Sequence, residues 1–129
     1  MIAIRNPEGS PAPATYHHGV EVSGAVRTLY IAGQIGTLAD GGVPQGIAAQ
    51  TEALYDNMRK VLAAARMSFD DVVKSTVFLV DPADRPAFNA ARAAATGGHK
   101  HASTLVFIAG LVLPTLLVEV EAVAVKAVA

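Results

Sequence analysis

Two carboxylates set in an apolar run are the first residues that could do chemistry. Glu119 and Glu121 interrupt the stretch Leu116 to Val125, and the two-residue period of a strand puts both on one face with Leu117 and Val123. A carboxylate on an interior sheet face has to be hydrogen-bonded, ion-paired or functional, because burying it alone costs on the order of several kcal/mol. Two readings stay open: an ion pair with Lys74 or Arg27 of a neighbouring strand, or activation of a water molecule.

The histidines His17, His18, His99 and His101 are the other groups able to move a proton near neutral pH. His17 and His18 are adjacent, so on a strand they point to opposite faces; with no HExxH-type pair either, no metal is expected. His99-Lys100-His101 follows Gly97-Gly98 and reads as a solvated loop, with a place beside a cleft as the alternative. Gly33-Gln34-Ile35-Gly36 puts two glycines around a polar residue just past a strand, where backbone N–H groups could approach an anion; the same glycines would equally serve a turn. The third glycine and following helix of a dinucleotide fingerprint are missing, as are a P-loop and a GxSxG elbow, so no cofactor is expected. Asn89 could hydrogen-bond a ligand, although asparagine is common on an exposed helical face.

The elements that must position these groups follow from periodicity and punctuation. Met1 to Ala14 contains Pro7, Gly9, Pro11 and Pro13, which predicts an irregular lead-in. Tyr16 to Val22 and Arg27 to Ile31 are rich in β-branched and aromatic residues, and Ser23-Gly24 between them predicts a hairpin. Gly33 to Gly46, with five glycines and Pro44, reads as a long loop. Ile47, Thr51, Leu54, Tyr55, Met58, Val61, Leu62 and Ala65 recur at three-and-four spacing, which predicts a helix of about five turns. Val72 to Val80 is a β-branched strand ended by Asp81-Pro82. Asp84-Arg85-Pro86 opens a second helix that Gly97-Gly98 closes, and Ser103 to Ala109 and Leu116 to Val125 are two further strands. The order is β-β-α-β-α-β-β: an α+β domain, one sheet with two helices on one face, whose apolar opposite face requires cover from other subunits.

Composition narrows the function classes. At 129 residues, positions 1–129 make a single domain. Hydrophobic residues are 52% and charged residues 16%, against about 45–50% and about 25% in typical domains, an excess that points to a buried subunit interface. A formal net charge of −1 with no basic run argues against a nucleic-acid partner. The absence of cysteine excludes disulfides, thiol catalysis and thiolate metal sites and fits the cytoplasm. The N-terminus does not read as a signal peptide. The longest apolar stretch, Leu105 to Val118, is broken by Gly110 and Pro114 and falls short of the roughly 20 residues a membrane helix needs, so no membrane partner is expected.

Taken together, Tyr30-Ile-Ala-Gly-Gln-Ile35, Ala48-Ala-Gln50, Asp56-Asn57, Val73-Lys-Ser-Thr-Val-Phe78 and Val118-Glu-Val-Glu-Ala-Val-Ala-Val125 resemble, in order and over nearly the whole chain, the Rid (reactive intermediate deaminase, YjgF/endoribonuclease L-PSP) family. The resemblance implies a chorismate-mutase-like fold and a homotrimer with clefts between subunits. It further implies that Tyr16 lines the cleft, Gly33 offers a backbone contact to a ligand carboxylate, Asn89 binds from the helix and Glu119 acts on water. The arginine that binds the substrate carboxylate in deaminating members falls on Ser103, or on Thr104 if the loop differs by one residue, and the family serine is replaced by Ala32. An arginine fork makes two charge-assisted hydrogen bonds of about 1.5–3 kcal/mol each, where serine offers one neutral donor. Its loss predicts far weaker binding of 2-imino acids unless His99, Lys100 or His101 supplies the charge.

Two functions are compatible with this pattern. One is hydrolysis of a reactive imine or enamine metabolite, with Glu119 catalytic and Tyr16, Gly33, Asn89, Ser103 and Thr104 binding substrate. The other is a non-catalytic trimer that binds a small-molecule metabolite or a protein partner. A ribonuclease or translation-inhibitor role, described for some family members, is disfavoured by the lack of a basic patch.

Overall fold

A computed structural model describes residues 1–128. Six strands and two helices alternate as β1 (Ile2–Arg5), β2 (Gly19–Val22), β3 (Val26–Ile35), α1 (Ile47–Ala64), β4 (Val72–Leu79), α2 (Arg85–Thr96), β5 (Ala102–Phe107) and β6 (Val118–Ala127). The α+β class and the helices on one sheet face match the sequence expectation. Four strands form the main sheet in the order β3-β6-β4-β5. All its pairings are antiparallel except β4 with β5, which run parallel because α2 carries the chain back across the sheet.

Burial along each strand follows the pleat. Val118, Val120, Ala122 and Ala124 of β6 and Val77 and Leu79 of β4 are buried against Leu54, Tyr55, Met58 and Leu62 of α1 and Phe88 of α2. These α1 residues lie on the stripe that the three-and-four spacing predicts. The opposite face carries Glu119, Glu121 and Val123 from β6, Lys74, Thr76 and Phe78 from β4, Thr104 and Val106 from β5, and Tyr30 from β3. Among the described residues no helix lies on that side, and Tyr30 is 79% exposed.

The N-terminal expectations need correction. Ile2–Arg5, expected to be irregular, is a strand, and it pairs antiparallel with β2 from Ile2↔Val22 to Arg5↔Gly19 as a separate two-stranded ribbon. The expected β2–β3 hairpin is therefore not a strand pair, and β3 pairs with β6 instead. β1 offers β2 a partner four residues long, and the long apolar β6 fills the edge of β3. The cap of the second helix also moves. Asp81, not Asp84, accepts the backbone N–H of Ala83 at 2.9 Å in the 3₁₀ turn that leads into α2, whereas Asp84 makes no capping bond. Gly97 ends α2 in the left-handed region at φ 71°, where glycine carries no Cβ penalty. Among the described residues, no helix is long and apolar enough to cross a membrane.

Candidate functional site

The acidic end of the site lies where β3 and β6 meet. Glu119 is paired across the sheet with Ile35 of β3 and Phe78 of β4, and its half-buried carboxylate lies against the backbone at Gly33. A Cβ at Gly33 would stand 2.1 Å from Glu119 Oε2, so only glycine lets the carboxylate lie there. The ion-pair reading of the two glutamates is not realised: neither forms a salt bridge among the described residues. Lys74 Nζ donates instead to Thr104 Oγ1 at 2.7 Å, and Arg27 Nη1 to the carbonyl of Ala65 at 3.0 Å.

Two side-chain amides fix this end. Asn57 Nδ2 donates to the carbonyls of Ile35 and Thr37 at 3.1 and 2.9 Å, pinning the exit of β3 to α1. Gln50, only 2% exposed, donates to the carbonyls of Pro44 and Thr115 and accepts the N–H of Leu117 at 2.8 Å, which sets the entry of β6 two residues before Glu119. Gly36 makes room for that helix, since a Cβ there would lie 2.6 Å from the carbonyl oxygen of Gln50. Both amides lie in segments that carried the family resemblance, but no local pattern around them indicates what they hold.

The other sequence-predicted residues gather at the far edge of the sheet. Tyr16, Asn89, Ser103 and Thr104 line one cleft of about 300 Å³ between α2 and the edge strand β5, together with Arg85 and Arg92. Tyr16 is brought there because the backbone N–H of His17 donates to the carbonyl of His101 at 3.0 Å, laying this segment beside β5. Arg92 rests on the face of Phe88, with its guanidinium carbon 5.3 Å from the ring centroid, and donates to Asn89 Oδ1 at 3.3 Å. Neither Arg85 nor Arg92 has a carboxylate partner among the described residues, and the cleft lining contains no acidic residue. A half-buried cation without a counter-ion favours an anionic ligand.

The positive charge lining this cleft comes from α2, while His99 and Lys100 of the histidine loop line an adjoining hollow of about 110 Å³ that shares Asn89 and Arg92. His99 turns inward, with Nε2 3.0 Å from the carbonyl oxygen of Val72, and stacks on His101 with ring centroids 5.7 Å apart. His101 Nε2 lies 2.6 Å from Ser75 Oγ, and Ser75 Oγ lies 3.4 Å from Ser103 Oγ. Burial, and then the positive charges of His99, Arg92 and Lys74, push His101 down to about 4. The solvated-loop expectation for His99 and His101 is therefore replaced by an inward-packed pair, while Lys100 stays exposed. Arg85 and Arg92 were missed by sequence reasoning although they stand four residues before and three after Asn89, the spacing that places residues on one helical face. A larger hollow of about 470 Å³ beside α1, lined by Glu52, Asp56 and Arg59 among others, gathers none of the predicted residues.

The fold and these residues define a protein class that the comparisons bear out: residues 8–126 match the endoribonuclease L-PSP family, and the chain belongs to this Rid/YjgF family. It is similar to the mitochondrial protein MMF1 of Saccharomyces cerevisiae, with 34% identity over 117 residues, 90% of this chain and 78% of that one. It also resembles the 2-iminobutanoate/2-iminopropanoate deaminase of Mus musculus, 38% identical over 78 residues that span 57% of this chain and 56% of that protein. The crystal structure of the Rid-family protein YyfB from Yersinia pestis superposes with a TM-score of 0.81 at 33% identity, covering 95% of this chain and 97% of that one.

Proposed function

We propose that the chain is the subunit of a cytoplasmic homotrimer whose interfacial clefts bind a small metabolite and hydrolyse its imine or enamine nitrogen. In this reading Glu119 takes a proton from water as the water oxygen adds to the C=N carbon of the imine form and returns that proton to the nitrogen; the resulting carbinolamine then gives its hydroxyl proton to the nitrogen as the C–N bond breaks, leaving a carbonyl compound, ammonia and an ionised Glu119. Gly33 binds through its backbone, and Tyr16, Asn89, Ser103 and Thr104 line the ligand pocket.

The observation that carries the proposal is the separation of two incomplete halves on one subunit. An unpaired carboxylate sits at the β3–β6 end, and an unpaired cation sits beyond β5. With β4 between β6 and β5, the halves stand two strand spacings apart, roughly 10 Å. That span exceeds a three- or four-carbon ligand, whereas the cleft of one subunit facing the Glu119 of the next would complete a site. The helix-free sheet face is mixed and not apolar throughout, with Phe78, Val106, Val123 and Tyr30 among Glu119, Glu121, Lys74, Thr76 and Thr104; its apolar residues and the exposed Phe107, Val112 and Leu113 are the surface such an assembly would cover. The deaminase named among the relatives supports the reaction type.

The test is ammonia release from freshly generated 2-iminopropanoate and 2-iminobutanoate, with sedimentation to count subunits. The proposal predicts turnover by a trimer. A monomer at micromolar concentration would overturn the interfacial cleft, and a trimer silent on both imines would leave the second reading, a metabolite-binding protein, which Ser103 in the arginine position favours.

A further inference from the structure

We infer that Arg92 is the residue that selects a carboxylate-bearing ligand, delivering from helix α2 the charge absent from β5, with Ser103 beside it as a hydroxyl donor oriented through Ser75 and His101. The inference deepens the hydrolase reading and rests on it for the reaction, but not for the binding.

Three observations combine. First, Arg92 is held in place without being neutralised: Phe88 beneath it is fully buried, and Asn89 is its polar partner. The amide carbonyl of Asn89 occupies one guanidinium donor and leaves the rest of the five-donor fork free. Second, the cleft in which it lies is lined by Ser103, Thr104 and Tyr16 hydroxyls, so an anion there meets donors on several sides. Third, the polar contacts of His101 run in one direction. Its Nδ1 is sealed from solvent with no partner among the described residues. An unpaired acceptor costs less there than an orphaned N–H, so the proton is assigned to Nε2. Nε2–H then donates to Ser75 Oγ, Ser75 donates to Ser103 Oγ, and the Ser103 hydroxyl proton is left to point into the cleft. Each donor in such a chain polarises the next.

Ser75 and His101 act through Ser103 and are positioning residues, whereas Arg92 and Ser103 touch the ligand. Arg85, exposed on the same helical face, widens the positive field at the cleft mouth without a comparable support.

The probes are 2-oxobutanoate, the stable carbonyl product, and its uncharged methyl ester, titrated calorimetrically into the assembled native protein. Ammonia release from 2-iminobutanoate is measured in parallel. The inference predicts that the native protein binds the acid and not the ester, that Arg92→Gln loses roughly a hundredfold in affinity, as expected for a charge-assisted fork, and that Arg92→Lys retains an intermediate affinity. The positioning role is read from a double-mutant cycle. Ser75→Ala weakens binding in the native background but has no further effect once Ser103 is alanine. Equal affinity of Arg92→Gln and native protein overturns the inference, as does tighter binding of the ester or no binding of the acid. Binding that depends on Arg92 without ammonia release keeps the inference and removes the hydrolase reading. Ammonia release from an uncharged imine, with unchanged rate in Arg92→Gln, does the reverse.

Discussion

The two ends of the candidate site differ in how they are built. At the β3–β6 end, one carboxylate is positioned by backbone: Gly33 lies against it, and buried amides from α1 tie down the chain on either side. At the β5–α2 end, the groups are side chains supported by other side chains, with Phe88 and Asn89 under Arg92, and Ser75 and His101 behind Ser103. The first arrangement rests on backbone and on amides tied into the fold, whereas the second rests on side chains that can be exchanged one at a time.

The sharpest break of this contrast is Glu119→Gln, which leaves shape intact and removes the base. Ammonia release is expected to fall by roughly 10²–10⁴-fold, the usual worth of a positioned general base, with sedimentation unchanged; undiminished turnover would remove Glu119 from the chemistry.

The stability of the β5 end should answer to pH through His101. His101 binds its proton at about 4 when folded, against an ordinary 6.5, so between these values the unfolded chain holds more protons and stability rises with pH. The contribution is complete above pH about 6.5 and lost as pH falls towards 4, an effect of about 3 kcal/mol that urea melts across this window would register. In His101→Gln, which keeps an N–H for Ser75, the slope should flatten.

Next in size is the contrast between Gly33 near the end of β3 and Gly36 just beyond it. Gly36→Ala drives a methyl group into the backbone of α1 at Gln50, and a loss of about 1–3 kcal/mol in denaturant stability is expected. Gly33→Ala meets only the movable end of the Glu119 side chain. Its stability should change by no more than about 0.5 kcal/mol, while ammonia release falls because the carboxylate is displaced. Equal losses in both variants would show that the backbone at Gly33 is part of the scaffold.

Local patterns made α1 and the shared face of Glu119 and Glu121 legible, because helical spacing and strand alternation are written in consecutive residues, but the face expected to be interior is the helix-free one, with Glu121 exposed. Partner choice is not local. The pairing of Ile2–Arg5 with β2, and of β3 with β6, depends on residues far away in the chain, and the prolines after β1 concealed a strand only four residues long. The gathering of Tyr16, Asn89, Ser103 and Thr104 was anticipated through family resemblance and not through any spacing of their own. Arg92 was legible in principle, three residues beyond Asn89, but its lack of a counter-ion depends on tertiary packing. The inward turn of His99 and His101 depends on the parallel register of β5 against β4, which brings Ser103 beside Ser75.

The crossover from β4 through α2 to β5 also has a consequence for inheritance. Arg85, Asn89, Arg92, His101, Ser103 and Thr104 all fall within one contiguous stretch of twenty residues, 85–104, whereas Gly33, Gln50, Asn57 and Glu119 are dispersed along the chain. Exchange of a single short coding segment between relatives would therefore transplant most of the ligand preference while leaving the acid and its supports in place. Diversification in this fold has a ready cassette, and chimeras joined within Asp81–Asp84 and within Gly110–Leu113 are the natural way to use it.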